Sequence, residues 1–138
     1  MAADRVLRAG RAYGGRIEGE ALVSDDAFSP RYDLDRGTGV VTRRGHSLEG
    51  ASIAGRVLVC PTAKGGVAGG WAFVDLASRG LAPSAMLFDV ANPVMVQGAV
   101  AAEIPILDGF EVSVVEALRT GDHVVVDPPS RTVRVRRC

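Results

Sequence analysis

Residues 56–107 read RVLVCPTAKGGVAGGWAFVDLASRGLAPSAMLFDVANPVMVQGAVAAEIPIL, and this stretch decides the fold. Its three short apolar runs, at 56–60, 85–88 and 105–107, have the length and continuous hydrophobicity of strands buried on both faces. Two segments of helical character separate these runs. Because strands joined by helical crossovers in one sheet lie parallel, the stretch predicts a βαβαβ unit.

The two connecting segments carry the signals of helices. In the first, apolar residues at 71, 73, 74, 76 and 77 predict a short amphipathic helix over 71–78, ended by Gly80. In the second, Asn92 and Pro93 form an N-cap and first-turn pair, which predicts a helix through about Ala102.

The sequence on either side of this centre has β character. Strand-like stretches flank it, and a polar loop is predicted over 25–39; the stretches are 6–8, 17–23, 40–43 with Ile53, 123–126 and 132–135. The arginine-rich end at 131–137 alternates with Thr and Val, which is typical of an edge strand with one charged face. The predicted fold is therefore α/β, a β-rich frame around a small parallel βαβαβ centre, in a single domain over 1–138.

Composition excludes several classes of function. Sixteen Lys plus Arg balance sixteen Asp plus Glu, so the chain lacks the basic field that nucleic-acid binding needs. No apolar run is long enough to span a membrane, and the N-terminus lacks the apolar stretch of a signal peptide, so we expect a cytoplasmic protein. Cys60 and Cys138 form neither a disulfide framework nor a metal-ligand spacing, so we expect no metal site in this chain.

Two loops are expected at the carboxyl ends of neighbouring parallel strands, where α/β proteins bind ligands. The glycine-rich loop 61–70 and the loop 89–93 would form a cradle for an anion, because glycines let backbone amides approach it and the following helix N-terminus attracts it. The only lysine among sixteen basic residues, Lys64, lies in the first loop. The alternative is a solvated lysine in a tight turn. The predicted ligand-binding residues are Lys64, Gly65, Gly66, Val67, Ala68, Gly69 and Asn92.

No complete catalytic set is visible. Thr62 is the only hydroxyl in the glycine-rich loop, so it is either a reactive group or a turn or cap hydroxyl. His46 and His123 stand apart from any Ser, Cys or carboxylate cluster. We expect Ser24 to form a turn with Asp25 and Asp26, and we expect Asp33 and Asp35 to be solvated.

At these residues the chain resembles the small subunit, or swivel domain, of the aconitase X family over roughly 8–126. Several ordered blocks carry the resemblance, and together they are far more specific than any one glycine motif. The blocks are EGEALVS at 18–24, LEGASIAGRVLV at 48–59, Lys64-Gly65 with its flanking loop, RGLAP at 79–83, NPVMVQGA at 92–99 and Ile104-Pro105.

The resemblance implies a swivelling β/β/α domain that closes over a large aconitase X subunit, with an iron or iron–sulfur centre in that partner and no cofactor in this chain. Such dehydratases remove water from hydroxy acids, phosphomevalonate in archaeal members and cis-3-hydroxy-L-proline in bacterial ones. Many archaeal members carry a serine, the proposed proton acceptor, where this chain has Gly66. The stretch FSPRYDLD at 28–35 also departs from the archaeal pattern.

Because glycine cannot accept a proton, this resemblance favours a cis-3-hydroxy-L-proline-like acid over phosphomevalonate as the substrate. The expected activity is that of a hydro-lyase subunit that needs its large subunit and binds a small carboxylic acid with loop 61–70. Thr62, Lys64 or the large chain would then supply the base. The alternative is a non-catalytic module that binds an organic acid or positions a partner.

Overall fold

The computed structural model describes residues 3–30, 32–62 and 67–137. The strands are β1 (Ala3–Arg8), β2 (Arg11–Tyr13), β3 (Ile17–Val23), β4 (Leu34–Asp35), β5 (Val40–Val41), β6 (Val57–Thr62), β7 (Ala85–Val90), β8 (Ile106–Asp108), β9 (His123–Asp127) and β10 (Thr132–Arg137). The helices are α1 (Val67–Ser78), α2 (Pro93–Ala101) and α3 (Val114–Ala117), and a 3₁₀ turn covers Pro128–Ser130.

Eight strands form one mixed sheet in the order β1-β10-β9-β3-β6-β7-β8-β2, and β4 pairs with β5 in a small separate hairpin. The four central strands β3, β6, β7 and β8 are parallel, whereas β1, β10, β9 and β2 join antiparallel. The chain from β6 through α1, β7 and α2 to β8 is the predicted βαβαβ unit. The predicted α/β fold, a β-rich frame around a small parallel centre, is confirmed.

The central strands separate two apolar layers because their alternate side chains point to opposite faces. On one face, Leu58 and Phe88 pack with Phe73 of α1 and Met95 of α2. On the other face, the core contains Val57, Val59, Leu87 and Leu107 together with Val114 of α3. Both faces of β6 and β7 are thus buried, which explains why these strands read as continuous apolar runs.

The segment predicted as a polar loop over 25–39 is exposed in part, but several of its residues are buried, which the sequence did not predict. Phe28 is fully buried and Leu34, in β4, is 6% exposed; both belong to the core layer formed by α1 and α2. We call residues 24–56, between β3 and β6, the excursion. Its apolar residues are spaced too irregularly to show a periodic pattern, so the sequence alone did not reveal their burial.

The C-terminal strand differs from its prediction in one respect. Val133 and Val135 are buried while Arg134 and Arg136 are exposed, so the single charged face is confirmed. The strand is not at the edge, however, because β10 lies between β1 and β9. The prediction was wrong because β1 begins at Ala3, well before the predicted strand 6–8, and supplies a full-length outer neighbour.

Candidate functional site

The carboxyl ends of β6, β7 and β8 lie along one side of the sheet, which we call the carboxyl edge. Thr62, the last residue of β6, pairs in register with Val90, the last residue of β7. The two loops of the predicted cradle therefore start side by side. Lys64, Gly65 and Gly66 lie outside the described residues, so their predicted binding role stays a prediction.

The first cradle loop is shorter than the predicted 61–70. The β6 strand continues through Pro61 to Thr62, and α1 begins at Val67 rather than at residue 71. Val67, Ala68 and Gly69 therefore belong to the first turn of a helix. Two helical glycines, 69 and 70, each cost about 1 kcal/mol of intrinsic propensity, which is why this turn read as a loop. The packing of Phe73 and Leu76 in the core offsets that cost.

This earlier start changes how the cradle would bind an anion. The first N–H groups of a helix have no acceptor within the helix, and the helix dipole makes that end favourable for negative charge. No acidic side chain occupies the first turn of α1 or of α2. Two helix N-termini without an acidic side chain in the first turn therefore lie near the adjacent ends of β6 and β7.

Asn92 is the N-cap of α2, as the sequence predicted. Its side-chain oxygen Oδ1 accepts a hydrogen bond of 2.7 Å from the Met95 amide, and Pro93 occupies the first helical turn. Within the described ranges, the side-chain nitrogen of Asn92 makes no further hydrogen bond. The cap therefore uses the side-chain oxygen of Asn92 and leaves its side-chain nitrogen as a donor. The binding of a ligand by Asn92 stays a prediction.

Thr62 lies exposed at the end of β6. Its backbone carbonyl accepts a 3.2 Å hydrogen bond from the Phe28 amide, which fastens the excursion to the carboxyl edge. The reactive role of its hydroxyl stays a prediction.

Two carboxylates at the carboxyl edge were missed by the sequence reasoning. Asp89 accepts hydrogen bonds from the Ser113 hydroxyl (2.9 Å) and the Val114 amide (2.6 Å), so it holds the start of α3. Asp108 is 3% exposed and binds Arg11 and the Ala91 amide. Each aspartate comes at or next to the end of a buried apolar strand, and that position was the available signal.

The excursion contains a buried polar cluster that corrects two predictions. Asp33 is fully buried rather than solvated, and its carboxylate accepts from the Ser29 amide at 2.8 Å and from Arg43 at 3.4 Å. His46 is not isolated: its Nε2 lies 3.7 Å from Asp33 Oδ2 and 3.1 Å from the Ala27 carbonyl oxygen. These groups satisfy one another within the excursion, so we assign them a structural role.

The predictions for Ser24 and His123 had different outcomes. Ser24 forms the expected turn, since its hydroxyl donates to the Asp26 carbonyl at 2.8 Å. His123 is exposed, but its Nε2 lies 3.3 Å from the Glu18 carboxylate across neighbouring strands, which corrects its predicted isolation. The Ser24 amide donates to the Val59 carbonyl at 2.8 Å, so Ser24 lies beside β6, the strand that leads into the first cradle loop.

Cys60 is fully buried in β6, and this burial raises the pKa of its thiol well above the usual range, with the negative charge of Asp33 adding to the effect. With the other cysteine removed by Cys138→Ser, we expect Cys60 to resist a thiol reagent at pH 8 in the native chain and to react fully in denaturant. Rapid labelling of the native variant would contradict this packing.

The same thiol makes stability depend on pH. The folded chain keeps the proton, whereas the unfolded thiol releases it above about pH 8.5. The contribution of the protonated Cys60 thiol to the free energy of unfolding is therefore fully present below that pH. Above it, the free energy of unfolding falls as pH rises, by up to ~1.4 kcal/mol per pH unit.

Across the described ranges, no three His, Cys, Asp or Glu side chains are arranged to hold a metal ion. No helix among the described residues is long and apolar enough to cross a membrane.

Comparison with known proteins supports the resemblance seen in the sequence. The sequence model of the aconitase X swivel domain family matches residues 6–135 of this chain. The phosphomevalonate dehydratase small subunit of Methanocella arvoryzae is 40% identical over 121 residues, covering 88% of this chain and 92% of that protein. The corresponding protein of Thermococcus kodakarensis is 36% identical over 129 residues, covering 94% of this chain and 95% of the relative.

Solved structures agree with the same assignment. The crystal structure of Thermococcus kodakaraensis aconitase X in its holo form superposes with a TM-score of 0.89 at 35% identity, covering 95% of this chain and 98% of that one. A solution NMR structure of a UPF0107 protein gives a TM-score of 0.81 at 35% identity, covering 95% and 97%. Sequence, fold and comparisons therefore agree that this chain belongs to the aconitase X swivel domain family.

Proposed function

We propose that the chain is the cytoplasmic small subunit of a hydro-lyase that removes water from a small hydroxy carboxylic acid, and that it acts only with a large aconitase X subunit. The observation that carries this proposal is the pair of helix N-termini at the adjacent ends of β6 and β7. The small-subunit names of the curated relatives support the need for a partner.

In this proposal the cradle binds the carboxylate of the substrate. The backbone amides of residues 65–69 and the ammonium of Lys64 would donate to it, and the Asn92 side-chain nitrogen would donate from the neighbouring loop. Each favourable charge near a helix N-terminus contributes about 0.3–1 kcal/mol. Closure of this domain over the large subunit would expel water and strengthen every one of these contacts.

For the substrate we favour a cis-3-hydroxy-L-proline-like acid over phosphomevalonate. The support is Gly66, which cannot accept a proton and which stands where the family resemblance implies a serine in many archaeal members. The names of the curated relatives point instead to phosphomevalonate. Turnover of the two acids by the same purified complex decides between them.

Gly66 leaves the proton acceptor to be supplied elsewhere. Within this chain we propose the hydroxyl of Thr62, the last residue of β6 at the carboxyl edge. Lys64 and a side chain of the large subunit are the other candidates. We propose that an iron or iron–sulfur centre lies in the large subunit and not in this chain.

The second candidate function is non-catalytic: the chain would be a module that binds an organic acid or positions a partner. The observation that favours it is that residue 66 is glycine, which cannot accept a proton. Calorimetry separates the two functions. Micromolar binding of a carboxylic acid by the isolated chain favours the module, whereas binding that appears only in the complex favours the enzyme subunit.

Lys64→Ala is expected to weaken binding of the carboxylic acid to the complex by about 10- to 100-fold, because a hydrogen bond to a charged group contributes about 1.5–3 kcal/mol. Calorimetric titration with the acid measures the loss. Lys64→Arg, which keeps the positive charge, is the matched control and should retain most of the affinity. Unchanged affinity in the alanine variant would remove Lys64 from the site.

A further inference from the structure

The short strand β2 places an exposed cation against a buried carboxylate at the carboxyl edge. Arg11 of β2 lies opposite Asp108 of β8, with hydrogen bonds of 2.9 Å from Nε to Oδ1 and 2.6 Å from Nη2 to Oδ2. The Arg11 side chain is 71% exposed and that of Asp108 only 4%. The two-pronged contact fixes the orientation of the carboxylate, and it raises the pKa of Arg11.

The same carboxylate reaches the second cradle loop. Asp108 Oδ2 accepts a buried hydrogen bond of 3.0 Å from the Ala91 amide, and Ala91 immediately precedes the N-cap residue Asn92. Asp108 therefore joins three parts of the chain: strand β2, the end of β8 and the turn between β7 and α2.

Two backbone hydrogen bonds also form around the end of β8, and one of them holds the segment between β7 and α2. The Gly109 amide donates to the Asp89 carbonyl at 3.1 Å, and the Gly10 amide donates to the Asp108 carbonyl at 3.0 Å. Residues 89–91 are thus anchored from β8 on two sides. The position of Asn92 and of the first turn of α2 depends on this anchorage.

A buried carboxylate paired with an arginine adds little net stability compared with apolar residues of similar volume, because desolvation offsets the attraction. Its advantage is direction: a carboxylate that accepts one arginine N–H group on each oxygen has a fixed orientation, and this fixes the position of Oδ2, which accepts from the Ala91 amide. We propose that Arg11 and Asp108 are a positioning pair, which sets Asn92 and the α2 N-terminus at the distance that a substrate carboxylate requires. This inference rests on the proposed function, because it assigns α2 to the substrate site.

The test compares the variants Asp108→Ala and Arg11→Gln with the wild-type chain, each assembled with the large subunit. Loss of a hydrogen bond to a charged group weakens binding by about tenfold or more, so we expect KM to rise at least about tenfold while kcat changes less than about threefold. Arg11→Lys keeps the charge but not the fork, so it should recover part of the loss. Arg79→Gln, which breaks the 3.0 Å ion pair with Asp75 near the end of α1, is the matched control and should leave KM unchanged.

Hydrogen exchange on the same complexes keeps this inference separate from the proposed function. In Asp108→Ala, the amides of Ala91 and Met95 should exchange at least about tenfold faster, while those of β6 keep their protection. An inactive wild-type complex would overturn the proposed function but leave this exchange result readable. Unchanged KM in an active complex, or unchanged exchange at Ala91 and Met95, would overturn the positioning role.

Discussion

Gly66→Ser in the assembled complex is expected to raise the turnover of phosphomevalonate by about 100-fold or more. The resemblance places the family's proposed proton acceptor at this position, and a positioned acid–base group typically contributes about 10²- to 10⁴-fold. A coupled assay of phosphomevalonate loss measures the gain.

Gly65→Ser is the matched control for this change, because it adds the same hydroxyl one residue away and should give no such gain. If Gly66→Ser forms the complex normally and leaves phosphomevalonate turnover unchanged, the glycine at this position does not account for the proposed substrate preference. The base would then come from Thr62, Lys64 or the large subunit.

Phe73→Ala is expected to destabilise the chain by about 3–5 kcal/mol, the usual cost of emptying a fully buried phenylalanine site. Phe73 packs α1 against the central sheet, so the change also tests whether tertiary packing holds a helix with two glycines near its start. Urea unfolding followed by circular dichroism gives the free energy of unfolding.

Trp71→Ala is the control, on the same helix two residues earlier. The Trp71 residue is 64% exposed, and exposed substitutions usually change stability by less than about 0.5 kcal/mol. A Trp71 variant that loses as much stability as the Phe73 variant would contradict the orientation of α1 described above.

The sequence predicted the centre of the fold well because each signal there is local. The apolar runs at 56–60 and 85–88 mark strands buried on both faces, and Asn92-Pro93 marks a helix start through cap chemistry. The predicted parallel arrangement followed from the helical crossovers and is confirmed by the pairing of β6 with β7 and of β7 with β8.

The errors arose where distant residues decide the structure. Asp33 looked solvated in a polar loop, yet it is fully buried, and Phe28 and Leu34 of the same segment belong to the core. Residues 67–70 looked like a loop because glycine disfavours helices, yet packing of the following turns keeps them helical.

The candidate site shows the same division between local and distant signals. Local pattern identified the cap residue Asn92 and the strands β6 and β7, from whose ends the predicted cradle loops start. It could not identify Asp108, because Arg11 lies 97 residues away along the chain and meets it only through the pairing of β2 with β8. Pairs of this kind become visible only when the sheet order is known.

The central claim is that this chain completes a hydro-lyase only together with a large subunit. The most direct measurement is to purify the chain alone and co-expressed with an aconitase X large subunit, and to assay both samples for water loss from cis-3-hydroxy-L-proline and phosphomevalonate. We predict a stable complex that dehydrates one of these acids, with cis-3-hydroxy-L-proline preferred, and no turnover by the isolated chain. A stable complex without turnover of either acid, or full turnover by the chain alone, would contradict the claim.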